Sequence, residues 1–260
     1  MTPALDYSEK QRQYFDGTRT AFVQALPHNP SARLLEVGCG NGGTASQARA
    51  EGKCGWCCGI ELCEAPAREA AKRLDQVLVG NVEQMEPDLP PASFDILILS
   101  EVLEHLVNPG AVLRKLRVFL KPGALVLAGS PNVCHHSVLR MLLAGRWDYQ
   151  SKGIMDATHL RWFTAPTYQA LFEDNGYVVD HVGSANPLSQ KAWLANALLF
   201  KRWEHLFYTQ IFLRGHLPRI APVSNLGAKS EDNGWTPMAQ KTPLMADATV
   251  AVKPELSLGN

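Results

Sequence analysis

The feature that most constrains this chain is a short apolar strand that runs straight into glycines. Arg33-Leu34-Leu35-Glu36-Val37 is followed at once by Gly38-Cys39-Gly40-Asn41-Gly42-Gly43, and helical sequence resumes from about Thr44 to Ala50. A strand that turns through glycines into a helix brings backbone close to a ligand, because glycine lacks a Cβ and reaches positive φ at little cost. Gly38, Gly40 and Gly43 also satisfy the spacing G-x-G-x-x-G. The next apolar run, Trp56-Cys57-Cys58-Gly59-Ile60, ends at Glu61, 18 residues past Gly43. An acidic residue there can accept from both hydroxyls of a ribose. The pattern points to a cofactor built on adenosine, and at this stage a nicotinamide dinucleotide is one of the candidates.

The alternation continues along the chain. Ala65 to Leu74, rich in Ala, Glu, Lys and Arg, reads as a helix, and Val77-Leu78-Val79 as a third strand. Phe94 to Leu99 is apolar on both faces, as a strand buried in a parallel sheet must be. Asn108-Pro109 opens a helix that should run to Leu120 and stop at Lys121-Pro122-Gly123. Ala124 to Ala128 is a fifth strand, and Thr164-Ala165-Pro166 starts a helix ended near Asn175-Gly176. Tyr177 to Val182 is a sixth strand, residues 188–204 read as helical, and His205 to Leu213 is a seventh strand. Strands alternating with helices in this way predict an α/β fold, doubly wound around a mostly parallel sheet.

Three stretches fall outside the rhythm. In residues 1–30, Tyr14, Phe15, Ala21, Phe22, Ala25 and Leu26 recur at helical spacing before Pro27-His28-Asn29-Pro30, and this segment is expected to act as a lid. Residues 132–163 read as an insertion on the substrate side of the 31–217 domain. From Pro218 onward the chain is rich in Pro, Ser, Ala, Asn and Lys without periodicity, as in a flexible tail.

Composition narrows the function classes. Lys+Arg and Asp+Glu are 25 each, a formal net charge of zero, which weighs against a nucleic-acid partner. No apolar run reaches the roughly 18 residues of a membrane span. The first residues lack an apolar leader core, and the six cysteines are bunched early, so a cytoplasmic location is expected. Cys54-x-x-Cys57 has zinc-ligand spacing, but no second close pair completes a set. No metal is expected, and these cysteines read as small buried apolar residues.

Longer motifs discriminate between the cofactors. Glu36-Val37-Gly38-Cys39-Gly40-Asn41-Gly42 resembles the first motif of the class I methyltransferases that use S-adenosylmethionine. A carboxylate beside the glycines suits a cofactor with an amino group and would repel a pyrophosphate. Ser93-Phe94-Asp95-Ile96-Leu97-Ile98-Leu99-Ser100-Glu101-Val102-Leu103-Glu104-His105-Leu106 resembles the fourth-strand motif of the ubiquinone-biosynthesis-type subgroup, and Leu120-Lys121-Pro122-Gly123-Ala124-Leu125 resembles its turn before strand five. Asp156-Ala157-Thr158-His159-Leu160-Arg161-Trp162-Phe163-Thr164 is similar to a D-x-x-H-x-x-x-F-T string of methyltransferases associated with glycan assembly.

The resemblance implies a seven-stranded sheet with the last strand antiparallel. It implies that Gly38, Cys39 and Gly40 line the methionine part of S-adenosylmethionine, that Glu36 holds the turn and the amino end, and that Glu61 takes the ribose. Leu62 would pack on the adenine, Asn81 and Val82 would meet its edge, and Ser100 and Glu101 would offer backbone near the methionine amine. Asn81 stands where the family usually has Asp, and its oxygen can still accept from an amino group.

The expected reaction is methyl transfer to a small molecule, most readily at a hydroxyl of a sugar, glycoconjugate or secondary metabolite. A hydroxyl must lose its proton, and a histidine suits that task. His105 follows the fourth strand and His159 lies in the insertion, so either is a candidate base, with Asp156 orienting it or touching substrate. Each also has a plain structural reading, as a loop-packing or turn residue. Trp193 to Trp203 and Val138 to Leu143 are apolar with basic punctuation, which fits core packing or contact with a membrane surface or lipid-linked acceptor. A methyltransferase of protein or RNA, and a regulatory or scaffold protein that binds S-adenosylmethionine without catalysis, are the competing functions.

Overall fold

The computed structural model of the chain describes residues 17–185, 188–198, 200 and 202–219. Seven strands form one sheet: β1 (Arg33–Val37), β2 (Trp56–Glu61), β3 (Gln76–Val79), β4 (Phe94–Ser100), β5 (Leu120–Pro131), β6 (Val178–Gly183) and β7 (Gln210–His216). Their order is β3-β2-β1-β4-β5-β7-β6, with β7 antiparallel to both of its neighbours and every other pairing parallel. The strand order reverses between β1 and β4, which leaves a crevice at their carboxyl ends, where open α/β sheets bind ligands.

The two central strands explain the two-sided core. Leu34 lies beside Ile96 and Leu35 beside Leu97 in the parallel ladder. Side chains alternate across a strand, so Leu35, Val37, Leu97 and Leu99 enter one core cluster while Leu34, Ile96 and Ile98 enter the other. The helices are α1 (Thr20–Ala25), α2 (Gly43–Ala50), α3 (Glu64–Ala70), α4 (Pro109–Arg117), α5 (His136–Leu143), α6 (Ala165–Glu173) and α7 (Gln190–Leu198), of which α5 and α7 are largely exposed. Local sequence sets several of their ends. The Asn108 side chain accepts from Ala111 N at the start of α4, with Pro109 in the first turn, and Thr164 and Thr167 form a reciprocal cap on α6.

Three boundaries differ from those read in the sequence. α4 ends at Arg117, and β5 begins at Leu120 and takes in Lys121-Pro122-Gly123, which read as a turn. The ladder to β4 shifts register between Phe94 and Ile96, opposite this stretch, where Gly123 takes a left-handed φ of +81°. α3 stops at Ala70, short of Leu74. β7 starts at Gln210, after a 3-10 turn at Glu204–Leu206, because its place is set by antiparallel pairing with β5 from Leu125↔His216 to Pro131↔Gln210. The apolar run 205–213 carried no mark of that register.

The stretch read as a lid divides. Phe22, Val23 and Leu26 are buried in the core, with the Phe22 ring edge-on to Phe212 at 5.2 Å. Gly17 and Arg19 instead reach the crevice. Tyr14 and Phe15, and the tail from 220 to 260, lie outside the described residues. Residues 132–163 hold α5 and two isolated bridges, Asn132↔Phe163 and Gln150↔Asp156. Among the described residues, no helix is long and apolar enough to cross a membrane.

Candidate active site

A single cleft lies across the carboxyl ends of β1, β2 and β4, and all ten residues expected to hold the cofactor line it. Glu36, Gly38, Cys39 and Gly40 come from β1 and its turn, Glu61 and Leu62 from the end of β2, Asn81 and Val82 from the loop after β3, and Ser100 and Glu101 from the end of β4.

The turn needs its glycines. Gly38 has φ +69°, and a Cβ there would fall 2.6 Å from Val102 Cγ2. Glu61 ties the turn to β2: one carboxylate oxygen accepts from Gly40 N at 2.8 Å and the other from Cys63 N at 3.0 Å. Burial pushes its carboxyl above the ordinary range. Glu36 sits deeper, at 3% exposure, and accepts from Ala45 N at 3.1 Å, in the first turn of α2. Burial raises its pKa to about 8, against the hydrogen bonds from Ala45 and Thr44 and the charge of Arg19. A buried carboxyl of this kind gains most from a cationic neighbour.

Farther along the wall, Leu62 is 42% exposed, an apolar face open to the cleft. The Asn81 side-chain oxygen accepts from Glu83 N at 2.9 Å and so shapes its own loop. Ser100 Oγ is buried without a hydrogen-bond partner among the described residues, an orphan polar atom on the wall where a ligand's polar end would lie. Glu101 holds φ +56°, an uncommon conformation for a side chain and one that recurs at functional turns. Its carboxylate pairs with Arg19 and accepts from Gln210 Nε2 at 3.2 Å. These features fit a zwitterionic nucleoside: buried carboxylates for the ammonium and ribose, backbone without side chains, and an orphan hydroxyl.

Arg19 was missed in the sequence. It puts a guanidinium in the cleft from a segment read only for its apolar spacing, and its backbone N–H donates to Thr44 Oγ1 at 3.2 Å. No spacing rule joins positions 19 and 101.

At its end β4 leads into a 3-10 turn, Leu103–His105, and residues 158–161 strap onto it. Leu160 and Arg161 N–H both donate to Glu104 O, at 2.8 and 3.0 Å. His105 lines the cleft with Nδ1 3.1 Å from Thr158 O, and His159 has Nδ1 3.1 Å from Ile154 O. A carbonyl only accepts, so in each ring Nδ1 carries the proton and Nε2 is the basic nitrogen. The two rings meet edge-on, centroids 4.8 Å apart. His159 itself is not on the cleft wall but directly behind His105.

Asp156 is 2% exposed and outside the cleft. One of its oxygens accepts from Thr158 N at 2.9 Å and Thr158 Oγ1 at 2.8 Å, and its carbonyl accepts from His159 N at 3.0 Å. It builds the turn that presents His159. Glu104, which the sequence reading passed over, is 1% exposed and accepts from Ser130 Oγ at 3.2 Å, while its Oε1 has no hydrogen-bond partner among the described residues. Ligand-type atoms of Glu104, His105 and His159 lie within 4.8 Å of one another. Cys54 and Cys57 are free thiols with sulfurs 3.3 Å apart inside the core, away from this group.

The glycine turn, the paired acidic residues and the sheet order define a methyltransferase of the class that uses S-adenosylmethionine. A family model described as a methyltransferase domain matches residues 7–182, and the chain belongs to that family. Among its relatives is a ubiquinone biosynthesis O-methyltransferase of Pseudomonas paraeruginosa, 33% identical over 175 residues, covering 63% of this chain and 72% of that one. Its fold is similar to that of a SAM-dependent methyltransferase from Archaeoglobus fulgidus, with a TM-score of 0.57 at 18% identity over 81% of this chain and all of that one. An S-adenosylmethionine dependent methyltransferase from Mesorhizobium loti superposes with a TM-score of 0.54 at 18% identity, covering 78% and 99%.

Proposed function

We propose that this enzyme methylates a hydroxyl of a small-molecule acceptor, with the His105–His159 pair receiving the proton. The observation that carries this reading is the placement of His105: its ring lines the cleft, its Nδ1 donates to Thr158 O, and it meets His159 edge-on at 4.8 Å. Bound S-adenosylmethionine supplies a methyl group on a sulfonium, whose departure leaves a neutral thioether. The chain does the rest. The glycine turn and Glu61 position the nucleoside, Glu36 and Glu101 face its cationic end, and Arg19 offers a cation to its carboxylate. The turn built by Asp156 holds His159 behind His105, so that a proton taken from the acceptor is shared in a buried pair. Orientation of this kind, with water kept out, supplies most of what such a displacement needs.

The relatives named ubiquinone biosynthesis O-methyltransferases support a hydroxyl acceptor, and the resemblance of residues 156–164 is what favours a sugar, glycoconjugate or secondary metabolite, sugar- or lipid-linked, as its carrier. The domain at 31–217 carries the activity, the 132–163 segment covers the acceptor, and the location is cytoplasmic with peripheral membrane contact. Leu142, Leu143, Trp193, Leu194, Leu198 and Phe200 are exposed apolar residues that favour that contact. Flotation with anionic vesicles tests it, and protein left wholly in the soluble fraction removes it.

The decisive experiment is turnover of S-adenosylmethionine to S-adenosylhomocysteine with a panel of hydroxylated acceptors. A chain that binds the cofactor and never turns it over is a regulatory protein. Activity confined to protein or RNA overturns the small-molecule reading.

A second reading is favoured by one observation, the buried and unpartnered Glu104 Oε1 beside two imidazoles. Two histidines and a carboxylate suit a divalent cation, which would lower the pKa of an acceptor hydroxyl directly. The carbonyls on both Nδ1 atoms are the outer-shell partners such ligands usually have. Visible absorption of the Co²⁺-loaded chain, lost in His159→Ala, would establish that reading; a featureless spectrum leaves proton transfer by the pair.

A further inference from the structure

We propose that a second pocket, under α5, binds an anionic group carried by the methyl acceptor, through Arg140 and Arg146. The proposal rests on the reading of the cleft as a methyl-transfer site and adds the chemical class of its acceptor.

The pocket is a cavity of about 460 Å³ between α5 and the loop that follows it, formed by residues separate from the cofactor cleft. Its floor is apolar: Val138 and Met155 are buried, with Met141 and Ile154 beside them. Its rim carries two guanidinium groups. Arg140 has no side-chain hydrogen bond or ion pair among the described residues, and Arg146 pairs with Asp148. Two positive groups against one carboxylate leave a net positive rim over an apolar floor. Arginine's planar fork matches phosphate and carboxylate oxygens, and exposed Arg140, with no protein partner among the described residues, exchanges only water when an anion arrives.

The position gives the pocket a purpose. The wall from Gln150 to Met155 continues directly into the Asp156 turn and His159, and His159 Nδ1 donates to the carbonyl of Ile154, itself a pocket residue. One stretch of chain therefore walls the pocket and presents the ring behind His105. A charged group held there would anchor the acceptor away from its reacting hydroxyl, which orients that hydroxyl without touching it. Asp148 competes with the anion for Arg146.

The experiment uses the full chain and inorganic pyrophosphate as the probe, titrated by calorimetry with and without S-adenosylhomocysteine. Saturable one-site binding is expected, weakened about tenfold in Arg140→Gln and in Arg146→Gln, as for loss of a charge-assisted hydrogen bond. Asp148→Asn should tighten it about threefold, an effect opposite in sign that general damage to the fold would not give. S-adenosylhomocysteine affinity should be the same in all three variants. No saturable binding, or binding unmoved by the two arginine substitutions together, overturns the proposal. So does binding of phosphatidylglycerol vesicles through these arginines while pyrophosphate is inert, which assigns them to a lipid surface. Failure of the unmodified chain to bind S-adenosylhomocysteine would overturn the cofactor reading instead, and the pyrophosphate titration is readable without it.

Discussion

Glu61 and Gly40 are joined by a 2.8 Å hydrogen bond from the Gly40 N–H to a carboxylate oxygen, so the end of β2 and the glycine turn move as one piece. The side chain proposed to take the ribose thus also holds the backbone proposed to face the methionine part of the cofactor. Glu61→Ala should weaken S-adenosylmethionine binding by about 10- to 100-fold, the loss of one charge-assisted contact or two weaker ones. Glu61→Gln should lose less, because one acceptor oxygen remains. Calorimetry that returns the native affinity for the alanine variant would remove Glu61 from the site.

Glu36 makes cofactor affinity depend on pH. Burial lifts its pKa from 4.5 to about 8 in the folded chain. Between those two values the folded state holds a proton that the unfolded state has lost, so this group's contribution to stability falls as pH rises from 4.5 to 8, then stays level. An ammonium group placed nearby favours the carboxylate, and binding below pH 8 should therefore release a proton. Affinity for S-adenosylmethionine should climb with pH up to about 8 and then flatten. Titrations in two buffers of different ionisation enthalpy measure the proton directly. An affinity constant from pH 6 to 9, with no proton released, would show that Glu36 does not meet the cationic end.

Gly38→Ala tests the turn itself. The new Cβ would be forced against Val102 at a φ of +69°. A cost of about 1–3 kcal/mol in stability is expected from the backbone strain alone, seen as a lower thermal midpoint, together with loss of cofactor binding. Gly40→Val, a β-branched residue also forced to positive φ, should cost at least as much stability and block binding as well. If Gly38→Ala melts like the native protein, the turn adapts more freely than this geometry allows.

The two histidines should separate chemistry from binding. His105→Ala and His159→Ala are expected to lower kcat by about 10²- to 10⁴-fold for the residue that takes the proton, with S-adenosylmethionine affinity held within about threefold. His159→Gln, which keeps a donor toward Ile154 O, should preserve the segment's position and still lose rate. Full activity in both alanine variants would mean that neither ring is the base.

Tyr168, buried near Glu104, gives a stability prediction. It is fully buried, its hydroxyl has no hydrogen-bond partner among the described residues, and its ring packs between Phe163 and Phe172. Removing an unsatisfied buried hydroxyl while keeping the ring should be neutral or stabilising by about 0.5–1 kcal/mol. Denaturant unfolding of Tyr168→Phe checks the sign. A clear loss of stability would mean that the hydroxyl has found a partner in solution.

Much of the cofactor side was legible because it is local in sequence. Glu36 to Gly40 lie within one strand and its turn, and Glu61, Asn81 and Ser100, picked out by Glu61's spacing and by the family resemblance, sit at or just past the ends of strands whose parallel pairing brings them to one rim. The proposed acceptor side was only half legible. His105 and His159 were visible as candidates, but whether Asp156 orients a base, touches substrate or builds a turn was open until its oxygen was seen on Thr158. Glu104 looked like one more residue of an acidic motif.

The layering and the glycine turn could be read from the chain alone, because apolar periodicity and glycine geometry act over a few residues; the other residues on the rim, Glu61 apart, came from the family resemblance. What only the tertiary structure decided was every relationship across long loops: Arg19 on Glu101, His159 behind His105, the register of β7, and the pocket under α5. Those depend on which surfaces the sheet brings together. A residue type carries no record of a partner that is distant along the chain until packing places the two side by side.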